Sequence, residues 1–158
     1  MTTAVNLSPA RRPDAKPATC SLLPAFEKAE IGEGSRDWRV LLDGGIEFAC
    51  DHSDPLLLVS EVDIESRPDT WIHVEIDLEY EAPAGIELPA RLHAQLFYNE
   101  DRSRSFREQR TVVDALDPGA SRHRARFRFR SYRPTRIRQL RFDPVNAPGL
   151  YRILGARY

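Results

Sequence analysis

Four histidines, a row of three carboxylates and two aromatic rings are the residues on which any chemistry of this chain would rest. His52, His73, His93 and His123 fall at no HxxxH or HExxH spacing, so they do not outline a catalytic zinc site. His123 stands on an apolar strand face, where a core role is expected. No G-x-S-x-G, P-loop or G-x-G-x-x-G occurs, which leaves nucleophile-elbow and phosphate-cradle chemistry without a motif. Cys20 and Cys50 match neither a metal-ligand spacing nor a disulfide framework. Glu75, Asp77 and Glu79 alternate along one stretch, and paired carboxylates can serve a glycosidase as acid and nucleophile or base. Such a row more commonly forms a solvated face set against cations, so no catalytic residue, metal or cofactor is expected.

Sugar binding demands less. A planar ring stacks on the apolar face of a pyranose while amides, carboxylates and imidazoles bond its hydroxyls. The residues suited to this lie on two segments. In WIHVEIDLEY, Trp71 to Tyr80, Ile72, Val74, Ile76, Leu78 and Tyr80 alternate with Trp71, His73, Glu75, Asp77 and Glu79. In RLHAQLFYN, Leu92, Ala94, Leu96 and Tyr98 alternate with Arg91, His93, Gln95 and Phe97. Period-two alternation is the mark of a half-buried strand, because successive side chains point to opposite faces. Paired as a hairpin with Glu79 opposite Arg91, these strands would set Asp77 against His93, Glu75 against Gln95 and His73 against Phe97. The expected ligand face then gathers Trp71, His73, Asp77, His93, Gln95, Phe97 and Asn99.

Outside these two segments, Trp38 to Leu42, Asp43-Gly44-Gly45 and Ile46 to Cys50 read as strand, tight turn and strand. Arg107 to Leu116 is a strand ended by Asp117-Pro118-Gly119, and RHRARFRFRSY follows with His123, Ala125, Phe127 and Phe129 inward. Arg122, Arg124, Arg126, Arg128 and Arg130 then share the outward face. Thr135 to Phe142 and Leu150 to Tyr158 complete the set, with a helical turn around Ala25 to Ala29. About eight short strands joined by polar turns predict an all-β protein, an antiparallel β-sandwich of jelly-roll type. The domain is expected over 25–158, after a flexible N-terminal tail, 1–24, rich in Pro, Ala, Arg and Thr.

Charge is divided along the chain. Residues 101–158 hold fifteen Arg against five Asp or Glu, so with a net charge of -1 the first hundred residues are strongly acidic. The arginine row could hold acidic or phosphorylated sugars, nucleotide-sugar donors or RNA, since guanidinium forks match phosphate and carboxylate. Alternatively the two halves pair in one sheet with charges opposed across strands. Phe127 and Phe129 lie on the face away from the arginines, so a stacking platform for single-stranded nucleic acid is missing and nucleic acid is not the expected partner. No apolar run of membrane-spanning length is present, and residues 1–17 lack the apolar core of a secretory signal, which predicts a cytoplasmic protein or a fragment of a longer one.

The segment IRQLRFDPVNAPGLYRI, Ile137 to Ile153, carries a strand ending L-R-F-D-P, an N-x-P-G loop and a final strand. It resembles the C-terminal edge of jelly-roll, galactose-binding-like carbohydrate-binding modules, and is similar to accessory domains beside glycosyltransferases of bacterial polysaccharide synthesis. The resemblance implies a non-catalytic module whose partner is a glycan or a sugar-processing enzyme. The competing expectation is a protein-docking sandwich without a sugar site. Within the loop, Pro144 and Pro148 pre-set φ, Asn146 is expected to cap the turn, Gly149 to permit reversal, and Leu140 and Phe142 to enter the core. Asp143 and Asn146 alone are too few oxygen ligands for calcium.

Overall fold

The computed structural model describes residues 19–101 and 105–158. Residues 1–18 of the expected tail lie outside the described residues. A short helix α1 (Leu23–Phe26) precedes β1 (Glu30–Ile31), β2 (Ser35–Val40), β3 (Ile46–Cys50), β4 (Leu57–Val59), β5 (Ile64–Ser66) and β6 (Ile72–Glu81). There follow β7 (Leu92–Asn99), β8 (Thr111–Leu116), β9 (Arg122–Phe129), β10 (Thr135–Ile137), β11 (Gln139–Asp143) and β12 (Gly149–Arg157). Most expected strands are present, with two corrections. The expected Arg107 to Leu116 strand starts only at Thr111, after a 3-10 turn at Glu108–Arg110. The expected Thr135 to Phe142 strand is split into β10 and β11, which join different sheets. The added strands β1, β4 and β5 are pieces of two to three residues, too short to show periodicity in sequence. Among the described residues no helix is long and apolar enough to cross a membrane.

Two five-stranded antiparallel sheets face each other. A front sheet runs β2-β3-β12-β6-β9 and a back sheet β1-β4-β11-β7-β8, with a two-stranded β10-β5 ribbon beside them. The alternating residues of each sheet interlock between them. Ile72, Val74, Ile76 and Leu78 of β6 and Ala125, Phe127 and Phe129 of β9 are buried against Leu92, Ala94, Leu96, Leu140 and Phe142 of the back sheet. Across this interface Phe127 meets Phe142 edge-on with centroids 6.0 Å apart, and Tyr98 stacks on Phe129 at 4.1 Å. The fold is therefore the expected antiparallel β-sandwich.

One predicted pairing is wrong. β6 pairs with β12 and β9 in the front sheet, whereas β7 pairs with β11 and β8 in the back sheet, so no β6–β7 hairpin forms. The ten residues between β6 and β7 cross from one sheet to the other. The physical reason lies in charge and register: β6 offers Glu75, Asp77 and Glu79, and β9 sets Arg126, Arg124 and Arg122 directly opposite. Opposite charges across a strand pair are favourable, and β7, with His93 and Gln95 and with Arg91 just before it, offers less.

Around the opening of the chain, Cys20 exchanges backbone hydrogen bonds with Tyr158 at 2.8 and 3.0 Å, and Leu22 donates to Ala156. Leu22 is buried. The chain is thus tied to the end of β12 from Cys20 onward, ahead of Ala25. At the β2–β3 turn, Gly44 and Gly45 take φ of 86° and 95°, conformations that a side chain would strain.

The Asp143 to Gly149 loop is a clamp between strands. The Asn146 side chain accepts from the His93 backbone N–H at 2.8 Å and donates to the Arg91 carbonyl at 3.1 Å, so it fixes the start of β7 and does not cap its own turn. Tyr80 donates to the Pro148 carbonyl at 2.8 Å and Tyr151 to the Ala147 carbonyl. Tyr151 also stacks between Phe48 and Tyr80, and burial pushes its hydroxyl well above the usual phenol range. Gly149 does not supply a positive φ. It is needed for space, because a Cβ there would meet the Tyr80 ring and stand 2.6 Å from the Glu81 carbonyl oxygen.

Candidate functional site

The outward side of the front sheet is a lattice of alternating charge. One row crosses all five strands: Arg39 of β2, Glu47 of β3, Arg152 of β12, Glu79 of β6 and Arg122 of β9. A second joins Arg157, Glu75 and Arg126, and Asp77 bridges Arg124 at 2.7 Å and Arg157 at 3.2 Å. The acidic and basic halves of the sequence therefore neutralise each other in one sheet. Glycosidase chemistry finds no support here. Burial acts to raise the Asp77 pKa, but hydrogen bonds from Arg124 and Arg157 outweigh it and hold the carboxyl below the ordinary range. A catalytic acid needs the opposite shift.

At the end of β6 the lattice gives way to a cleft of about 340 Å³, inside the ~300–1,000 Å³ range of small-ligand pockets. Trp71, Ile72, His73 and Glu75 come from β6 and the residue before it, Ile64 and Glu65 from β5, and Thr19, Thr70, Arg157 and Tyr158 close the rim. Trp71 is 40% exposed although Arg128 and Arg130 lie over its ring, guanidinium carbons 4.1 and 4.6 Å from the centroid. Burial raises the Tyr158 pKa, which keeps its hydroxyl neutral and able to donate and accept. Two rings, apolar isoleucines and a rim of hydroxyl, imidazole, carboxylate and guanidinium groups thus converge. Their chemistry suits a ligand with apolar faces and hydroxylated edges.

Of the sequence-predicted site residues, the structure brings Trp71 and His73 together in this cleft. Asp77 stands two positions further along the same outward face, held by its arginines. His93, Gln95 and Phe97 are on the outward side of the back sheet, across the sandwich from Trp71. His93 and Gln95 border a space of about 20 Å³ with Asp143 and Asn146, room for about one water, which needs ~10–15 Å³. No sugar ring enters it. Phe97 lies under Arg141, whose guanidinium carbon is 4.9 Å from the centroid, and edge-on to Phe106 at 6.1 Å. Asn99 is buried, donating to the Ser105 carbonyl at 3.1 Å. The single seven-residue face is corrected accordingly: it needed the hairpin that the charge pairing of β6 with β9 and β12 displaces.

No family model and no curated protein matches the chain. Solved structures do. It is similar to the CBM22-1 xylan-binding domain of Paenibacillus barcinonensis Xyn10C over 89% of this chain and 90% of that one, at TM-score 0.50 and 10% identity. It is also similar to a family 29 carbohydrate-binding module complexed with cellulohexaose, over 89% of both chains, at TM-score 0.50 and 8% identity. The chain has the β-sandwich fold of carbohydrate-binding modules. At such identities the likeness concerns the fold.

Tyr158, Arg157, Thr70 and Ile64 were not singled out from sequence. Their place depends on β12 entering the sheet between β3 and β6, with Arg157 opposite Glu75. The arginines of β12 facing the acidic row of β6 were the available signal. Alternation reveals a strand's faces, whereas it says nothing of which strands lie side by side.

Proposed function

We propose that this chain is a non-catalytic carbohydrate-binding module whose glycan site is the cleft at Trp71. The observation that carries the reading is the convergence of Trp71 and Tyr158 with His73, Thr70, Glu75 and Arg157 around one cleft of about 340 Å³. The fold shared with carbohydrate-binding modules agrees with it, and the xylan-binding and cellulohexaose-complexed neighbours supply the first ligands to try. A role without catalysis is supported by the commitment of Glu75, Asp77 and Glu79 to arginine partners. The setting we favour is beside a glycan-processing enzyme of bacterial polysaccharide synthesis in the cytoplasm; the resemblance carried by Ile137 to Ile153 supports the enzyme partner. Against protein docking, the exposed large apolar residues besides Trp71 are Val40 and Leu42 at the end of β2 and the turn after it, and Ile86, Val113 and Tyr132 singly on separate elements.

The test is calorimetry with cellohexaose and xylohexaose, backed by a glycan array. Trp71→Ala should weaken binding about tenfold or more, since an aromatic stack contributes ~1–3 kcal/mol. Tyr158→Ala should weaken it too, because its backbone pairing with Cys20 survives the substitution. Wild-type protein that binds no glycan on the array, or folded variants that both bind as well as wild type, would refute the proposal.

A further inference from the structure

At the cleft the charge lattice of the front sheet runs short of carboxylates. Along β9 the outward arginines find partners in order: Arg122 with Glu79 at 3.0 Å, Arg124 with Asp77 at 2.7 Å and Arg126 with Glu75 at 3.5 Å. The acidic row of β6 then stops. Opposite Arg128 stands His73, and the next outward residue is Trp71. Among the described residues neither Arg128 nor Arg130 has a carboxylate partner. Arg128 rests on the indole, and Arg130 rests there while donating to the Pro68 carbonyl at 3.0 Å.

The carboxylates of the cleft itself are already engaged. Glu65 accepts from Arg67 at 2.6 and 2.8 Å, and Glu75 pairs with Arg157 and Arg126. The cleft is thus lined by carboxylates that are already neutralised, and the two surplus guanidiniums lie just outside its lining, over the Trp71 indole. Both guanidinium carbons lie within 5 Å of the Trp71 centroid, inside the Debye length of about 8 Å at physiological salt. A guanidinium stacked on an aromatic face keeps its N–H donors in its own plane, directed past the ring edge and free for an anion. A carboxylate matches that planar fork with two parallel hydrogen bonds.

We propose that the cleft takes an acidic glycan carrying hexuronate carboxylates, with the Trp71 indole against the sugar ring and Arg128 and Arg130 receiving the charge. This rests on the reading of the cleft as a sugar site. Neutral glycans use the same ring without the arginines, so they bind more weakly.

The experiment compares hexagalacturonate with its fully methyl-esterified form, the same size without charge, by calorimetry on the full chain. The acid should bind at least about tenfold more tightly than the ester, and raising the salt should shrink the difference. In the Arg128→Gln, Arg130→Gln double variant the acid should lose its advantage and bind no more tightly than the ester measured on that same variant. The wild-type comparison stands whether or not the double variant folds. Equal binding of acid and ester overturns the acidic assignment and leaves the sugar site standing. Failure of the acid, the ester and neutral hexaoses alike overturns both.

Discussion

Arg152→Met tests whether the charged row across the front sheet holds the fold together. Glu47 is only 6% exposed, and its carboxylate accepts from Arg152 Nε at 2.5 Å and from Arg39. Methionine keeps the stem of Arg152 packed and removes the charge. Removing one member of a buried pair costs ~3–5 kcal/mol because the other charge is left desolvated. Here Arg39 remains, and the Arg152 side chain is 36% exposed, so solvent screening roughly halves the loss, to ~2 kcal/mol. At ~2–4 °C per kcal/mol for a chain of this size, Tm should fall by ~4–8 °C near neutral pH.

The pH dependence gives a second check. Burial acts to raise the Glu47 pKa, but hydrogen bonds from Arg152 and Arg39 outweigh it and leave it below the ordinary 4.5. A carboxyl whose folded pKa is depressed contributes stability above its unfolded value and loses it as pH falls through the folded one. In the methionine variant that pKa moves up, so protonation relieves the penalty. The stability gap between the two proteins should therefore narrow as pH drops below 4.5. Urea melts at neutral pH and at about pH 3.5 read both quantities. A gap under ~0.5 kcal/mol at neutral pH would refute the reasoning, since that is the range of an ordinary surface substitution. So would a gap that does not change with pH.

Other perturbations separate the loop, the turn and the two faces. Gly149→Ala pushes a methyl into the Tyr80 ring and toward the Glu81 carbonyl. A backbone neighbour cannot swing aside, so thermal melts should show a loss near the upper end of the ~1–3 kcal/mol range for overpacking. Asn146→Ala leaves the His93 N–H and the Arg91 carbonyl without their partner, and should cost ~1–3 kcal/mol by urea denaturation with glycan affinity retained. Phe97→Ala should leave affinity at the Trp71 cleft unchanged in calorimetry. A loss there equal to that of Trp71→Ala would show that the back sheet carries the ligand.

By itself the sequence determined the elements and their faces. Ile72 to Tyr80 and His123 to Phe129 alternate so regularly that their buried sides could be assigned residue by residue, because a strand's side-chain period is two. It also held the reason for the front sheet's cohesion, an acidic first part and an arginine-rich second part. Leu140 and Phe142 were recognisable as core, and the loop after them as a connector. Only the tertiary structure decided which strands are neighbours. β12, the last strand, lies between β3 and β6, pairings across about 70–80 residues to β6 and about 100 to β3 that no local pattern encodes. That insertion sends β7 to the opposite sheet, buries Asn99, parts His93, Gln95 and Phe97 from Trp71, and brings Tyr158 and Arg157 to it. The physical cause is that alternation constrains the orientation of each strand one by one, whereas sheet order is settled by the sum of charge pairing and core packing between distant segments. The cleft belongs to that second kind of information.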